Sequence, residues 1–207
     1  MSLRRLVRGN QVVELVLIVG LALGLAWLIQ AFVVKPYKIP SGSMEPTLAI
    51  GQRVLVDRLG NDFFSPSIGD IVVFHPPEGA VENGANGTCG VPTTSEEMCP
   101  RPTAKESTTT YIKRVVAVGG DTVALINGHV ILNGQRQKEP FANLTACPTG
   151  SACTYSKAIK VPAGYFFMMG DNRGDSDDSR FWGPVPDAWI IGDAFATYWP
   201  PDRIGIF

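Results

Sequence analysis

Tyr111-Ile112-Lys113-Arg114-Val115-Val116-Ala117-Val118 reads as a β-strand, an almost continuous apolar run closed by the turn residues Gly119-Gly120-Asp121. Lys113 interrupts it, flanked by Tyr111, Ile112 and Val115, which would strip water from its amine. The ordinary fate of such a lysine is to snorkel outward or to pair with an acid. The chemical alternative is a base. At pH 7 only about 0.04% of free lysine is neutral. Lowering its pKa by about 2 to 3 units costs roughly 3 to 4 kcal/mol, within reach of burial.

A base needs a nucleophile, and Pro40-Ser41-Gly42-Ser43-Met44-Glu45-Pro46-Thr47-Leu48 offers two hydroxyls around a glycine, in a segment whose prolines forbid helix. Serine alone is a weak nucleophile, so one of these two hydroxyls and Lys113 form the candidate pair. The only histidines are His75 and His129, neither beside a recognisable acid partner.

Upstream, Val12 to Val34 is an apolar run broken only by Glu14 and Gln30, long enough for a bilayer core of about 30 Å and longer than the core of a cleavable leader. Glu14 stands close enough to one end to reach the interface. Arg4, Arg5 and Arg8 precede the run and place the N-terminus in the cytoplasm, with everything after Val34 outside. Lys35 to Pro40 must be extended, so the serine pair follows the span at short range.

The 207-residue chain holds one sizeable domain, rich in short Val, Ile, Thr and aromatic runs and punctuated by 16 prolines and 22 glycines: a mainly β composition. The formal charge of -1 leaves no footprint for nucleic acid. Gln52 to Asp57, Asp70 to Phe74, Tyr165 to Met169 and Ile190 to Trp199 read as further strands. Phe63 and Phe64, between the first two, are expected to pack on the sheet or dip into the membrane interface. Val123 to Ile126, Asn127-Gly128, His129 to Leu132 and Asn133-Gly134 carry the strongest hairpin signal. The expected organisation is a cytoplasmic N-terminus (1–11), a transmembrane helix (12–34), a catalytic β domain (35–121 and 164–207, with 76–110 a surface insertion) and an accessory β module (122–163).

Four cysteines fall as Cys89 with Cys99 and Cys147 with Cys153, without zinc spacing. In an oxidising compartment, pairing of sequence neighbours is the simplest of three connectivities; partly free thiols are the alternative. The loop Gly170 to Gly183 crowds Asp171, Asp175, Asp177 and Asp178 together, but Arg173 and Ser176 stand where a calcium loop wants an acceptor and a glycine. Arg173 and Arg180 point instead to ion pairs inside the loop, and no metal or cofactor is expected.

Pro40 to Leu48, Tyr111 to Arg114 and Gly170 to Gly183, in that order behind an anchor, resemble the signature boxes of bacterial type I signal peptidases, the leader peptidases, a serine/lysine dyad family whose catalytic sheet is shared with self-cleaving repressors. The resemblance implies Ser43 as nucleophile and Lys113 as general base. It implies an oxyanion hole from the Ser43 N–H and the Ser41 hydroxyl, Ser176 orienting the Lys113 amine, and structural pairs of Asp178 with Arg180 and Asp171 with Arg114. Small residues one and three positions before the cleaved bond would enter pockets walled by Tyr37, Ile39, Met44, Leu48, Val54, Tyr111 and Ile112. The implied partners are signal peptides of exported preproteins, the lipid bilayer of the bacterial inner membrane and the secretion translocon, with the catalytic domain extracytoplasmic. A specialised relative that matures one pilin-like or conjugation substrate, and a catalytically silent assembly chaperone, are the competing readings.

Overall fold

The computed structural model describes residues 11–59, 65–80, 89–91, 97–147 and 153–207, the side chains of 26–32 excepted. The expectations for Phe63 and Phe64 and for Arg4, Arg5 and Arg8 lie outside the described residues. Among the described residues, an N-terminal helix, Gln11–Phe32, leads almost directly into twelve strands. These are β1 (Val34–Lys38), β2 (Arg53–Asp57), β3 (Ile71–Phe74), β4 (Tyr111–Val118), β5 (Thr122–Ile126), β6 (His129–Leu132), β7 (Gln135–Arg136), β8 (Tyr155–Lys160), β9 (Tyr165–Met169), β10 (Val185–Pro186), β11 (Ile190–Trp199) and β12 (Gly205–Ile206).

The helix has 22 residues, and at about 1.5 Å per residue it reaches roughly 33 Å. Its apolar side chains stand exposed, Val12, Leu15, Leu21 and Leu23 among them. Over the described residues no helix is long and apolar enough to cross a membrane; this helix has described side chains only for 11–25. It also ends before the expected boundary, because Val34 already pairs with Asp57 as the first residue of β1.

Two sheets make up the rest, and every ladder in them is antiparallel. The larger runs β1-β2-β11-β3-β4-β9-β10, with β12 on β11, and the smaller runs β7-β6-β5-β8. Strand β3 shows why the larger sheet is buried on both faces: Ile71 and Val73 join one apolar cluster with Met44, Leu48 and Val54, while Val72 and Phe74 join another with Tyr111, Trp182 and Val185. A third cluster glues the sheets together, Phe167 and Met169 of β9 against Val123, Leu125 and Val130 of the smaller sheet.

The hairpins of the smaller sheet turn at Asn127-Gly128 and Asn133-Gly134, with φ of 50° and 79° at both pairs, the left-handed conformation such two-residue turns require. Strand β8 was not expected, since Tyr155–Lys160 reads as polar. It forms because it pairs on one edge only, against β5, where its solvent-facing side chains need not be apolar.

One electrostatic liability sits between the strands. Asp193 of β11 lies opposite Asp57 of β2, one of its carboxylate oxygens is buried without a hydrogen-bond partner, and burial together with Asp70 and Asp57 pushes its pKa up to about 6. A carboxyl whose pKa rises on folding favours the folded state when protonated, so stability falls as pH climbs from its unfolded value of about 3.9 through the folded value near 6. Asp193→Asn is therefore expected to raise the urea midpoint at pH 8 and to leave it almost unchanged at pH 4; equal effects at both would locate the cause elsewhere.

Candidate active site

Ser43 lies in a closed loop between β1 and β2. Ile39 N donates to Gln52 O (2.8 Å), Gly51 N to Ile39 O (2.8 Å) and Leu48 N to Met44 O (2.9 Å), and Ala49 N donates to Gln52 Oε1 (2.9 Å). Met44 and Leu48 plug the loop into the core, both fully buried. The loop thus has little freedom to move its hydroxyl.

Lys113 enters from β4, whose neighbours β3 and β9 occupy both of its edges. It is only 2% exposed and Ser43 8%, and Lys113 Nζ stands 2.6 Å from Ser43 Oγ. The same nitrogen lies 5.7 Å from the centroid of the Tyr111 ring. Ser41 Oγ is 3.4 Å from Ser43 Oγ, on the more open side of the loop.

The loop after β9 closes the site. Gly170 is required there, because a Cβ would stand 2.2 Å from Ser176 Oγ and 2.4 Å from Ser43 O, where no side chain fits. Ser176 Oγ donates to Asp178 Oδ2 (2.9 Å). Asp178 in turn accepts from Arg180 Nε (2.7 Å), Arg180 Nη2 (2.9 Å) and Gly170 N (3.1 Å). Burial by itself would raise the Asp178 carboxyl; the Arg180 charge and hydrogen bonds, aided by Lys113 and the Gly170 N–H, hold it below the ordinary carboxylate value. Asp171 forms the second fork, accepting from Arg114 Nε (2.9 Å) and Nη2 (2.7 Å), while Arg114 Nη1 donates to Gly69 O (2.7 Å) and its guanidinium stacks 3.9 Å from the Phe141 ring. Asp171 and Asp178 of the crowded carboxylates therefore face arginines.

Four contacts were not legible beforehand. Asn172 N donates to Ser43 O (3.1 Å) and Asn172 Nδ2 to Gly42 O (3.2 Å), gripping the serine loop by its backbone. Thr47 Oγ1 donates to Asp171 Oδ2. Arg173, expected to pair within its own loop, reaches out of it to Glu139: it is fully buried, Asp171 and Asp178 are taken by Arg114 and Arg180, and Asp175 and Asp177 lie toward the surface. Asn172 lay within a quoted motif, but an amide carries no sign of which backbone it will meet.

A cavity of about 70 Å³ opens against Ser41, Ser43 and Lys113. Its apolar wall is formed by Tyr37, Ile39, Val73, Tyr111 and Ile112. Met44, Leu48 and Val54, also expected as wall residues, are 0% exposed and lie in the cluster beneath, since the strand and loop geometry turns them inward. Val73 was not expected on the wall. The histidines are elsewhere: His75 Nδ1 is 2.7 Å from Thr109 O, and Arg136 Nη2 donates to His129 Nε2 (2.6 Å). The cysteines are joined as Cys89–Cys99 and Cys147–Cys153, and Cys99 N donates to Arg180 O (2.9 Å), tying the first bridge to the site loop.

Residues 12–199 match the model of the family described as signal peptidase, peptidase S26. The chain is 37% identical over 188 residues to signal peptidase I of Leptolyngbya laminosa, covering 90% of this chain and 79% of that protein. It is 38% identical over 184 residues to a probable signal peptidase I-1 of Synechocystis sp., covering 89% and 81%. Signal peptidase I of Mycobacterium tuberculosis is 34% identical over 231 aligned positions, covering 93% and 74%. Among solved structures, a signal peptidase I of Enterococcus faecalis V583 overlaps 63% of this chain and 97% of its own at 23% identity and a TM-score of 0.41. On the family match and the 34% to 38% identities to the three relatives, the chain belongs to the signal peptidase family, peptidase S26, and is a peptidase.

Proposed function

We propose that this peptidase removes N-terminal signal peptides from exported preproteins through an acyl-enzyme on Ser43, with Lys113 as the base. The observation that carries the reading is the 2.6 Å approach of Lys113 Nζ to Ser43 Oγ with both residues almost dry. Burial favours the uncharged amine, which can accept the serine proton as Oγ attacks the substrate carbonyl. The ammonium so formed returns that proton to the departing amine, and the neutral lysine then activates the water that releases the acid and frees Ser43.

The tetrahedral oxygen needs donors. Gly42 O accepts from Asn172 Nδ2 and from Glu45 N, and because a trans peptide is planar, the Ser43 N–H points to the opposite face. That N–H and the Ser41 hydroxyl are the proposed oxyanion donors, each worth about 3 to 4 kcal/mol by analogy with other acyl-transfer sites. Ser176, anchored on Asp178, is the proposed support for the amine. Tyr37, Ile39, Tyr111 and Ile112 would receive the small side chains before the cleaved bond, in keeping with the cavity's modest volume.

Membrane attachment is the second part of the proposal. It is supported by the 22-residue apolar helix that joins β1, by the arginines before it, and by exposed apolar residues in the serine loop and in the C-terminal segment. Ile50 (63% exposed), Trp199 (49%), Ile204 (65%) and Ile206 (85%) belong to this group, and Arg203 ties their segment to the loop through Gln52 Oε1 (2.7 Å) and Pro46 O (3.2 Å). An anchored enzyme with its serine facing the outer leaflet meets cleavage sites confined to the same surface, which raises their effective concentration.

Ser43→Ala and Lys113→Ala are each expected to cut preprotein cleavage by about three orders of magnitude or more while leaving unfolding curves intact. Near-parental processing by a folded Lys113→Ala chain would sink the dyad. The cleavage rate should also rise with pH as the lysine loses its proton, and a rate that falls over that limb would oppose a lysine base. For the membrane, Trp199→Ala with Ile206→Asp should slow cleavage of a bilayer-embedded preprotein several-fold and leave a short soluble peptide unaffected.

A further inference from the structure

We propose that Arg173 is a positioning residue for Ser43, and that through it the smaller sheet forms part of the catalytic apparatus. The inference rests on the Ser43–Lys113 reading above and adds to it a route by which a distant module sets the nucleophile's geometry.

Arg173 is fully buried. Its guanidinium forks onto Glu139 (Nη2 to Oε1 2.6 Å, Nη1 to Oε2 3.1 Å), and Glu139 Oε2 also accepts from Val130 N of β6 (3.0 Å). Arg173 Nη1 donates to Gly128 O in the first hairpin turn (2.7 Å), and Nε donates to Gly170 O in the site loop (3.0 Å). One side chain thus bolts both modules together by four hydrogen bonds.

The backbone repeats the connection. Arg173 N donates to Asn143 O (3.0 Å) and Asn143 N to Asp171 O (2.7 Å), a parallel bridge of Asn143 with Asn172. Gly174 packs so closely that a Cβ would lie 2.1 Å from Ala146 O. The Cys147–Cys153 disulfide closes this segment, and Gly128 N donates to Cys153 O (2.7 Å). The next residue in the path is Asn172, whose two donors hold Gly42 O and Ser43 O. Among the described residues, hydrogen bonds, close packing and the disulfide link this segment step by step to the peptide that bears the Ser43 N–H.

Stability alone gives little reason for such a pair, because a buried ion pair is often no better than packed hydrocarbon. The apolar cluster between the sheets already supplies non-directional attachment. What the fork adds is direction: it fixes the register of the 170–174 loop against the smaller sheet, and a misplacement of about 1 Å at a reacting centre can cost about 100-fold in rate.

The test uses the full-length chain in detergent with Arg173→Lys, Glu139→Gln and the apolar pair Arg173→Met/Glu139→Met. It reads kcat and KM for a preprotein, the acylation rate with a small activated ester lacking any signal sequence, the pH–rate midpoint, and thermal unfolding, with rates expressed per folded molecule. Arg173→Lys and Glu139→Gln are expected to lower kcat and ester acylation about 10- to 100-fold, with KM and the pH–rate midpoint unchanged. The apolar pair should fold and remain slow. The proposal is overturned if folded Arg173→Lys acylates within twofold of the parent, if the apolar pair recovers the parental rate, or if the loss comes as a shifted pH midpoint. Unimpaired Arg173 variants beside an inactive Ser43→Ala would defeat this inference alone, whereas an active Ser43→Ala would defeat the dyad reading beneath it.

Discussion

A lysine amine kept out of water, 2.6 Å from a serine hydroxyl, is the constraint around which the fold is arranged. A buried cation without compensation is costly, so the site must either pair Lys113 or favour its neutral form. Strand β4 sits inside the larger sheet, and on its face Lys113 is only 2% exposed, covered by the serine loop. The serine must then come to the lysine, and the closed loop between β1 and β2 delivers it.

Holding that loop requires directional contacts, and the segment after β9 supplies them. Its two arginine–carboxylate forks anchor either end, Asp171 on Arg114 of the same strand that carries Lys113, and Asp178 on Arg180 within a one-turn helix. Between them, Asn172 grips the serine backbone and Gly170 leaves room for the approach of Ser43 and Ser176. Buried forks of this kind contribute little net stability, but they leave few alternative arrangements, since any shift strands a charge or a backbone donor. A peptidase needs that economy of arrangements more than it needs extra stability.

The disulfides extend the same logic to the periphery. Cys89–Cys99 abuts Arg180 and Cys147–Cys153 abuts Gly174, so the site loop is braced near both ends. The groove beside Ser41 and Lys38 lies against Ser43 and Lys113.

Local chemistry wrote much of this into the chain. The continuous apolar run of β3, the Asn-Gly turns and the apolar run before Val34 depend only on near neighbours, and the charged pairs Asp171 with Arg114 and Asp178 with Arg180 could be anticipated from the three motifs together. Partners far apart in the chain obey no such rule. That Arg173 would leave its loop for Glu139, that Asn172 would hold the serine backbone, and that Met44, Leu48 and Val54 would turn into the core while Val73 faces the groove were settled only by packing. Each depends on which polar groups were already satisfied and which volume was already filled when the two sheets met, and no stretch of residues carries that information by itself.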